Sequence, residues 1–315
     1  MEVDLKGPVY YLDFDESGEA GTGPRTVYVH GLGGSHINWI GLAPLMGGYV
    51  RGMAVDLPGF GLTPAAGRRT TVSANAQVLK RFLRELVGEP VVLVGNSMGG
   101  FVSMIVAAEA PELVSGLVLI DPTLPLARGV RLDPAVGKQF LLNGVPGIGE
   151  WVLARRYARV PVRQRVSEVL SRCCLDAQRV PSEMLEKLIE LEESLTRRAG
   201  HAASQLAAAR SIVRGLAWTP TYWRRMAAIR HPVLLLHGTH DRLVPIQSAR
   251  QAAKRLPQWT YVELDTGHIP QMEAPHLVAD EMVKWLNESL LNQSGLSQSG
   301  LSQSGLGRPE FNTSV

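Results

Sequence analysis

Cysteine is nearly missing from this chain. Its two, Cys173 and Cys174, are sequence neighbours, and adjacent residues cannot staple distant segments together. A disulfide scaffold is excluded, and two thiols are too few ligands for a structural metal. They read as plain thiols in a helical segment, consistent with a cytoplasmic protein; no cofactor and no metal are expected. Charge of one sign is scarce too: 32 Lys and Arg face 29 Asp and Glu, a net +3. That balance supplies no dedicated nucleic-acid surface, and no DNA- or RNA-reading motif accompanies it. The opening Met1-Glu2-Val3-Asp4-Leu5-Lys6 lacks the basic and apolar parts of a secretory leader. A long apolar run is missing as well. The nearest approach, residues 91–108, is interrupted by Gly95, Asn96, Ser97, Gly99 and Gly100, so no transmembrane span is expected.

What the chain does have is an ordinary apolar share, 45% over 315 residues, enough for a large core. Short β-rich runs alternate with helical patterns. Val9–Phe14, Thr26–Val29, Gly52–Val55, Val91–Val94, Leu117–Ile120, Val233–Leu236 and Thr260–Leu264 read as strands. Residues 72–87 carry a helical period, with Val78, Leu79, Phe82, Leu83 and Leu86 on one face. Alternation of this kind predicts an α/β fold with a mostly parallel central sheet and helices on both faces. Between residues 123 and 228 the strand signal vanishes. Helical segments at 149–159, 162–174, 182–198 and 201–214 take over, separated by Pro161 and Pro181, with Pro220 marking a later turn. The expected organisation is a core over 1–122, a helical insertion over 123–228, and a second core part over 229–290. Residues 291–315, with a repeating Gln-Ser-Gly-Leu-Ser pentad, read as a disordered tail.

The stretch Val91-Val92-Leu93-Val94-Gly95-Asn96-Ser97-Met98-Gly99-Gly100 leaves a strand, presents one serine between glycines and enters a helix. That is the sequence of a nucleophile elbow, in which a strained turn projects a serine hydroxyl from the sheet edge. Three further motifs follow strands. His30-Gly31-Leu32-Gly33-Gly34 comes after Thr26–Val29, Asp241 lies in His237-Gly238-Thr239-His240-Asp241, and His268 lies in Thr266-Gly267-His268-Ile269-Pro270. Serine, then acid, then histidine is the α/β-hydrolase order. On these four motifs residues 8–290 resemble the α/β-hydrolase superfamily of serine esterases and lipases.

The resemblance implies Ser97 as nucleophile, His268 as general base and Asp241 as its orienting acid. Asp121, after the preceding strand, is the rival acid. Backbone N–H groups of Leu32 and Met98 would form the oxyanion hole. His30 and the Asp56–Gly61 turn are expected to be structural. The helical insertion would be the family's cap, shaping the pocket. A serine at the elbow argues against relatives with aspartate there. An ester, thioester or lactone hydrolase acting on a small, apolar carbonyl substrate is the leading expectation. Asn96 before the serine looks like the elbow of meta-cleavage-product hydrolases, which cleave carbon–carbon bonds. Ile269 departs from the tryptophan those enzymes usually carry, and Arg197, Arg198, Arg210 and Arg214 all compete for their cap arginine. Cofactor-free peroxidase or acyltransfer chemistry, and a hydrolase-fold binding protein without turnover, stay open. Trp39, Trp151, Trp218, Tyr222 and Trp223 are candidate pocket aromatics. Oligomeric state is not legible.

Overall fold

The inner strands are buried along nearly their whole length, and their side chains alternate between two faces. In the computed structural model, which describes residues 1–15 and 23–291, one alternate set packs on one face of the sheet. It comprises Val27, Val29, Met53, Val55, Leu93, Leu117, Leu119, Val233 and Leu235. The other set, including Tyr28, Ala54, Val92, Val94, Val118, Ile120, Leu234 and Leu236, packs on the opposite face. A sheet apolar on both sides must be covered twice.

The elements run β1 (Glu2–Asp4), β2 (Pro8–Asp13), β3 (Arg25–Val29), α1 (Ala43–Met46), β4 (Arg51–Val55), α2 (Val72–Phe82), β5 (Val91–Asn96), α3 (Met98–Glu109) and β6 (Val114–Ile120). Six helices follow: α4 (Pro134–Gly144), α5 (Ile148–Arg159), α6 (Val162–Cys173), α7 (Ser182–Thr196), α8 (His201–Ala217) and α9 (Thr219–Ala227). The chain then returns through β7 (Val233–Gly238), α10 (Ile246–Arg255), β8 (Thr260–Leu264), α11 (Pro270–Glu273) and α12 (Pro275–Trp285). The eight strands order as β1-β2-β4-β3-β5-β6-β7-β8. β1 pairs antiparallel with β2 and β2 with β4, and every later pairing is parallel. Helices α2, α3 and α10 cover the first face, and α1 and α12 the second. This is the α/β-hydrolase fold.

The elements differ from the sequence pattern where burial is thin. Helix α2 stops at Phe82, and a π-turn carries the chain through Leu83–Val87 to Gly88, whose φ of +73° ends it. Helix α4 buries only Val136, so its apolar periodicity is weak. Helix α9 opens on Thr219-Pro220, where a proline in the first turn lacks only an N–H that has no partner anyway. What reads as a breaker is a start. The expected tail, apart from Leu291, lies outside the described residues. Among those described, no helix is long and apolar enough to cross a membrane.

Candidate active site

The site is assembled at the carboxyl ends of β3, β5, β6, β7 and β8. Ser97 joins β5 to α3 with φ +53° and ψ −116°, a conformation an L-residue adopts only when its surroundings force it. Three hydrogen bonds hold it: its N–H donates to Ile120 O at 3.1 Å, and its carbonyl accepts from Phe101 N at 3.2 Å and Thr123 N at 3.1 Å. A Cβ on Gly99 would stand 2.0 Å from Val29 O, so only glycine lets α3 lie this close to β3.

The loop after β3 presses against that elbow. A Cβ on Gly31 would lie 3.2 Å from Ser97 Cβ. His30 is fully buried, and its Nε2 accepts from Leu57 N at 3.0 Å. The ring proton must then sit on Nδ1, which donates to Gly31 O at 2.7 Å. Burial lowers its pKa, so His30 is a neutral brace for the loop. The N–H groups of Leu32 and Met98 make no hydrogen bond among the described residues; Met98 opens α3, where a helix leaves donors free. Asp56 accepts from His36 N, His36 Nδ1 and Leu62 N, which stitches its turn together.

His268 and Asp241 are brought into direct contact, His268 Nδ1 to Asp241 Oδ2 at 2.7 Å, both buried. The other carboxylate oxygen accepts from Leu243 N at 2.7 Å and Val244 N at 3.0 Å. Burial opposes the Asp241 charge, but the His268 ring, His237 and the Val244 N–H outweigh it and lower the pKa. With Nδ1 donating to Asp241, His268 keeps its lone pair on Nε2. No hydrogen bond among the described residues joins Nε2 to Ser97 Oγ. The two loops are tied one residue away, where Asn96 Nδ2 donates to both Ile120 O and His268 O at 3.0 Å.

Asp121 does not reach His268. Its Oδ1 accepts from Gly238 N at 2.8 Å and its Oδ2 has no donor among the described residues. Burial and the charge of Asp241 raise its pKa well above the carboxylate range. Asp121, Asp241 and His237 place three potential metal ligands within 4.8 Å. Two of these groups are committed elsewhere, since His237 Nε2 donates to Val244 O at 2.9 Å and Asp241 binds His268. The donor set does not fit a metal.

Sequence reasoning missed Glu273. This carboxylate, 3% exposed, accepts from Gly267 N at 2.8 Å, Asp176 N at 2.9 Å and Leu175 N at 3.1 Å. It joins the segment leaving α6 to the turn that carries His268, and His268 N–H itself donates to Cys173 O. A lone glutamate between Met272 and Ala274 was the available signal. The candidate aromatics scatter: Trp39 belongs to the core beneath the sheet, Trp151 and Trp218 are exposed, and Trp223 lies under Arg255. Tyr222 is buried and donates to Thr123 O. The candidate arginines scatter too. Arg210 pairs with Glu150, Arg198 donates to Gly61 O, and Arg197 and Arg214 are exposed. The buried arginine of the helical block is Arg165, 3% exposed.

Residues 24–275 match the family model described as alpha/beta hydrolase fold, and the chain belongs to that family of hydrolases. It is 30% identical over 276 residues to the dihydrolipoyllysine-residue acetyltransferase component of the acetoin cleaving system of Pseudomonas putida. The match takes in 87% of this chain and 66% of that relative, so the chain spans about two thirds of its length. It is 25% identical to the 2-hydroxy-6-oxo-6-(2'-aminophenyl)hexa-2,4-dienoic acid hydrolase of Metapseudomonas resinovorans, over 85% of this chain and 86% of that one. Among solved structures, a thermophilic esterase from Thermogutta terrifontis superposes with a TM-score of 0.68 at 23% identity, covering 91% of this chain and 98% of that chain; it shares the fold.

Proposed function

We propose that the protein is a serine hydrolase of small carboxylic esters, thioesters or lactones, acting through an acyl-enzyme on Ser97. The observation that carries this reading is the strained Ser97 turn held against the His268–Asp241 pair by Asn96. His268 Nε2 takes the hydroxyl proton as Oγ bonds to the substrate carbonyl. The Leu32 and Met98 N–H groups receive the oxyanion. As the tetrahedral adduct collapses, the bond to the leaving oxygen breaks and His268 returns the proton to it. Water, deprotonated by His268, then adds to the acyl carbon and frees Ser97. Asp241 holds the imidazole in the productive tautomer throughout. Helices α4–α9, within residues 123–228, act as a cap over this site, and a cytoplasmic location suits the two unpaired thiols.

Ser97→Ala is expected to lower turnover of 4-nitrophenyl esters by at least about 10⁴-fold. Turnover that survives this change with purified protein would refute the assignment. Carbon–carbon hydrolysis is the second reading, supported by Asn96 before the serine and by the likeness to the Metapseudomonas hydrolase. Failure on every ester, with Ser97-dependent cleavage of a vinylogous 1,5-diketo acid, would favour it.

A further inference from the structure

The helical block turns apolar side chains outward at one corner. Helix α4 ends at Gly144 and α5 begins at Ile148, with only Val145, Pro146 and Gly147 between them. Leu141 and Trp151, one turn to either side, are 70% and 62% exposed, and Val145 and Ile148 are exposed between them. These are four of the twelve exposed large apolar side chains among the described residues, gathered within residues 141–151. Apolar surface concentrated in this way marks a face that meets a partner.

Charge of one sign surrounds it. Residues 126–160 hold Arg128, Arg131, Lys138, Arg155, Arg156 and Arg159 against Asp133 and Glu150, a net +4, whereas the whole chain carries +3. Both acids are engaged. Asp133 caps α4 by accepting from Ala135 N at 2.8 Å, and Glu150 pairs with Arg210 at 2.8 Å. Of the six cations only Arg156 is ion-paired among the described residues, with Glu168 at 2.6 Å. Arg155 instead stacks on Trp151, 5.4 Å from the ring centroid.

Position along the helices separates the two kinds of side chain. On α5 the exposed residues Ile148, Trp151, Arg155 and Arg159 are spaced by three and four, so they share one face. The apolar pair lies at the corner, and the arginines follow about 6 and 12 Å behind Trp151. The other arm repeats this order, with Leu141 near the corner and Lys138, Arg131 and Arg128 farther back along the chain. A bilayer interface has the same profile: apolar side chains enter by roughly 5–10 Å while cations stay among the headgroups. A second copy suits this face poorly, because pairing would bring two surfaces of like charge together.

We propose that the α4–α5 corner docks the protein on a lipid surface bearing anionic headgroups, its four apolar side chains entering the interface and the flanking cations meeting the headgroups. Docking is peripheral and reversible, and it does not depend on the role of Ser97.

Co-sedimentation of the full chain with vesicles of phosphatidylcholine, alone or with about one third phosphatidylserine, tests it. Partition onto the anionic vesicles should exceed that onto the neutral ones by at least about 10-fold, and should fall toward the neutral value in about 0.5 M salt. Arg155→Glu with Arg159→Glu should remove the preference, and Leu141→Ser with Trp151→Ser should weaken binding by at least about 10-fold. All four side chains are exposed, so both variants should melt with the parent chain. Brominated lipid should quench the parent's tryptophan fluorescence and leave that of Trp151→Phe, which still binds, unquenched. Absent or equal partition, binding untouched by either pair of substitutions, or quenching that persists in Trp151→Phe overturns the proposal. So does a dimer that the Leu141→Ser, Trp151→Ser pair dissociates, which would make the corner a contact between copies.

Discussion

Asp121 is a residue whose neighbours decide its chemistry. A free carboxyl is ionised above about pH 4. Here burial and the adjacent Asp241 charge raise its pKa well above that range, so the folded chain binds a proton that the unfolded chain has released. Stability must then fall as pH rises from about 4 toward the folded-state value. Asparagine at this position has no proton to lose. Asp121→Asn is therefore expected to gain several degrees in melting temperature over the parent chain as pH rises from about 4.5 to about 8. Melting curves at both pH values check this, and a constant difference would show that Asp121 is ionised in the fold. Asp241 is the opposite case. Its lowered pKa gives stability that is present above about pH 4 and lost as pH falls through the folded value.

At the scale of elements, the segment leaving α6 and the turn after β8 are tied together because Glu273 receives N–H groups from both. The carboxylate sits at the start of the return to the core, and Arg179 Nη1 approaches it at 3.9 Å. Its removal strands three buried or half-buried donors. Glu273→Ala is expected to destabilise the fold by about 3 kcal/mol, and to lower kcat in the surviving folded protein because the His268 turn loses its tie to α6. Denaturant unfolding beside ester kinetics measures both. A stability loss with unchanged kcat would make Glu273 a brace only. The same arrangement explains why Gly267 is glycine: a Cβ there would lie 2.2 Å from Cys173 O.

Over the whole molecule, burial is uneven. β5 and β7 are buried at every residue, whereas α4 and α5 bury one residue each and leave Leu141 and Trp151 exposed. Local opening follows the amount of apolar contact to be broken. Amide exchange should be slowest in β3, β5, β6 and β7 and faster by orders of magnitude in α4 and α5. Equal protection across sheet and helical block would contradict this ranking. Such looseness suits the proposed cap, which must admit substrate.

The strand alternation, the serine between glycines, and the order of Ser97, Asp241 and His268 were legible in the sequence. Each rests on neighbours a few residues apart, where side-chain period and backbone sterics act. Tertiary structure brought Asp241, the acid the resemblance implies, and not its rival Asp121, into contact with His268. Asp121 and Asp241 both follow strands, β6 and β7, that lie side by side, and only their distances to the ring separate them. It also buried Arg165 among the arginines of the helical block, and gave Glu273 its partners at Leu175 and Asp176. Those choices depend on contacts between segments 27 to 172 residues apart, such as Asp241 to His268 at 27, Leu175 to Glu273 at 98 and Asn96 to His268 at 172. No local pattern encodes such a contact, because packing of the assembled core sets which polar groups are left to pair.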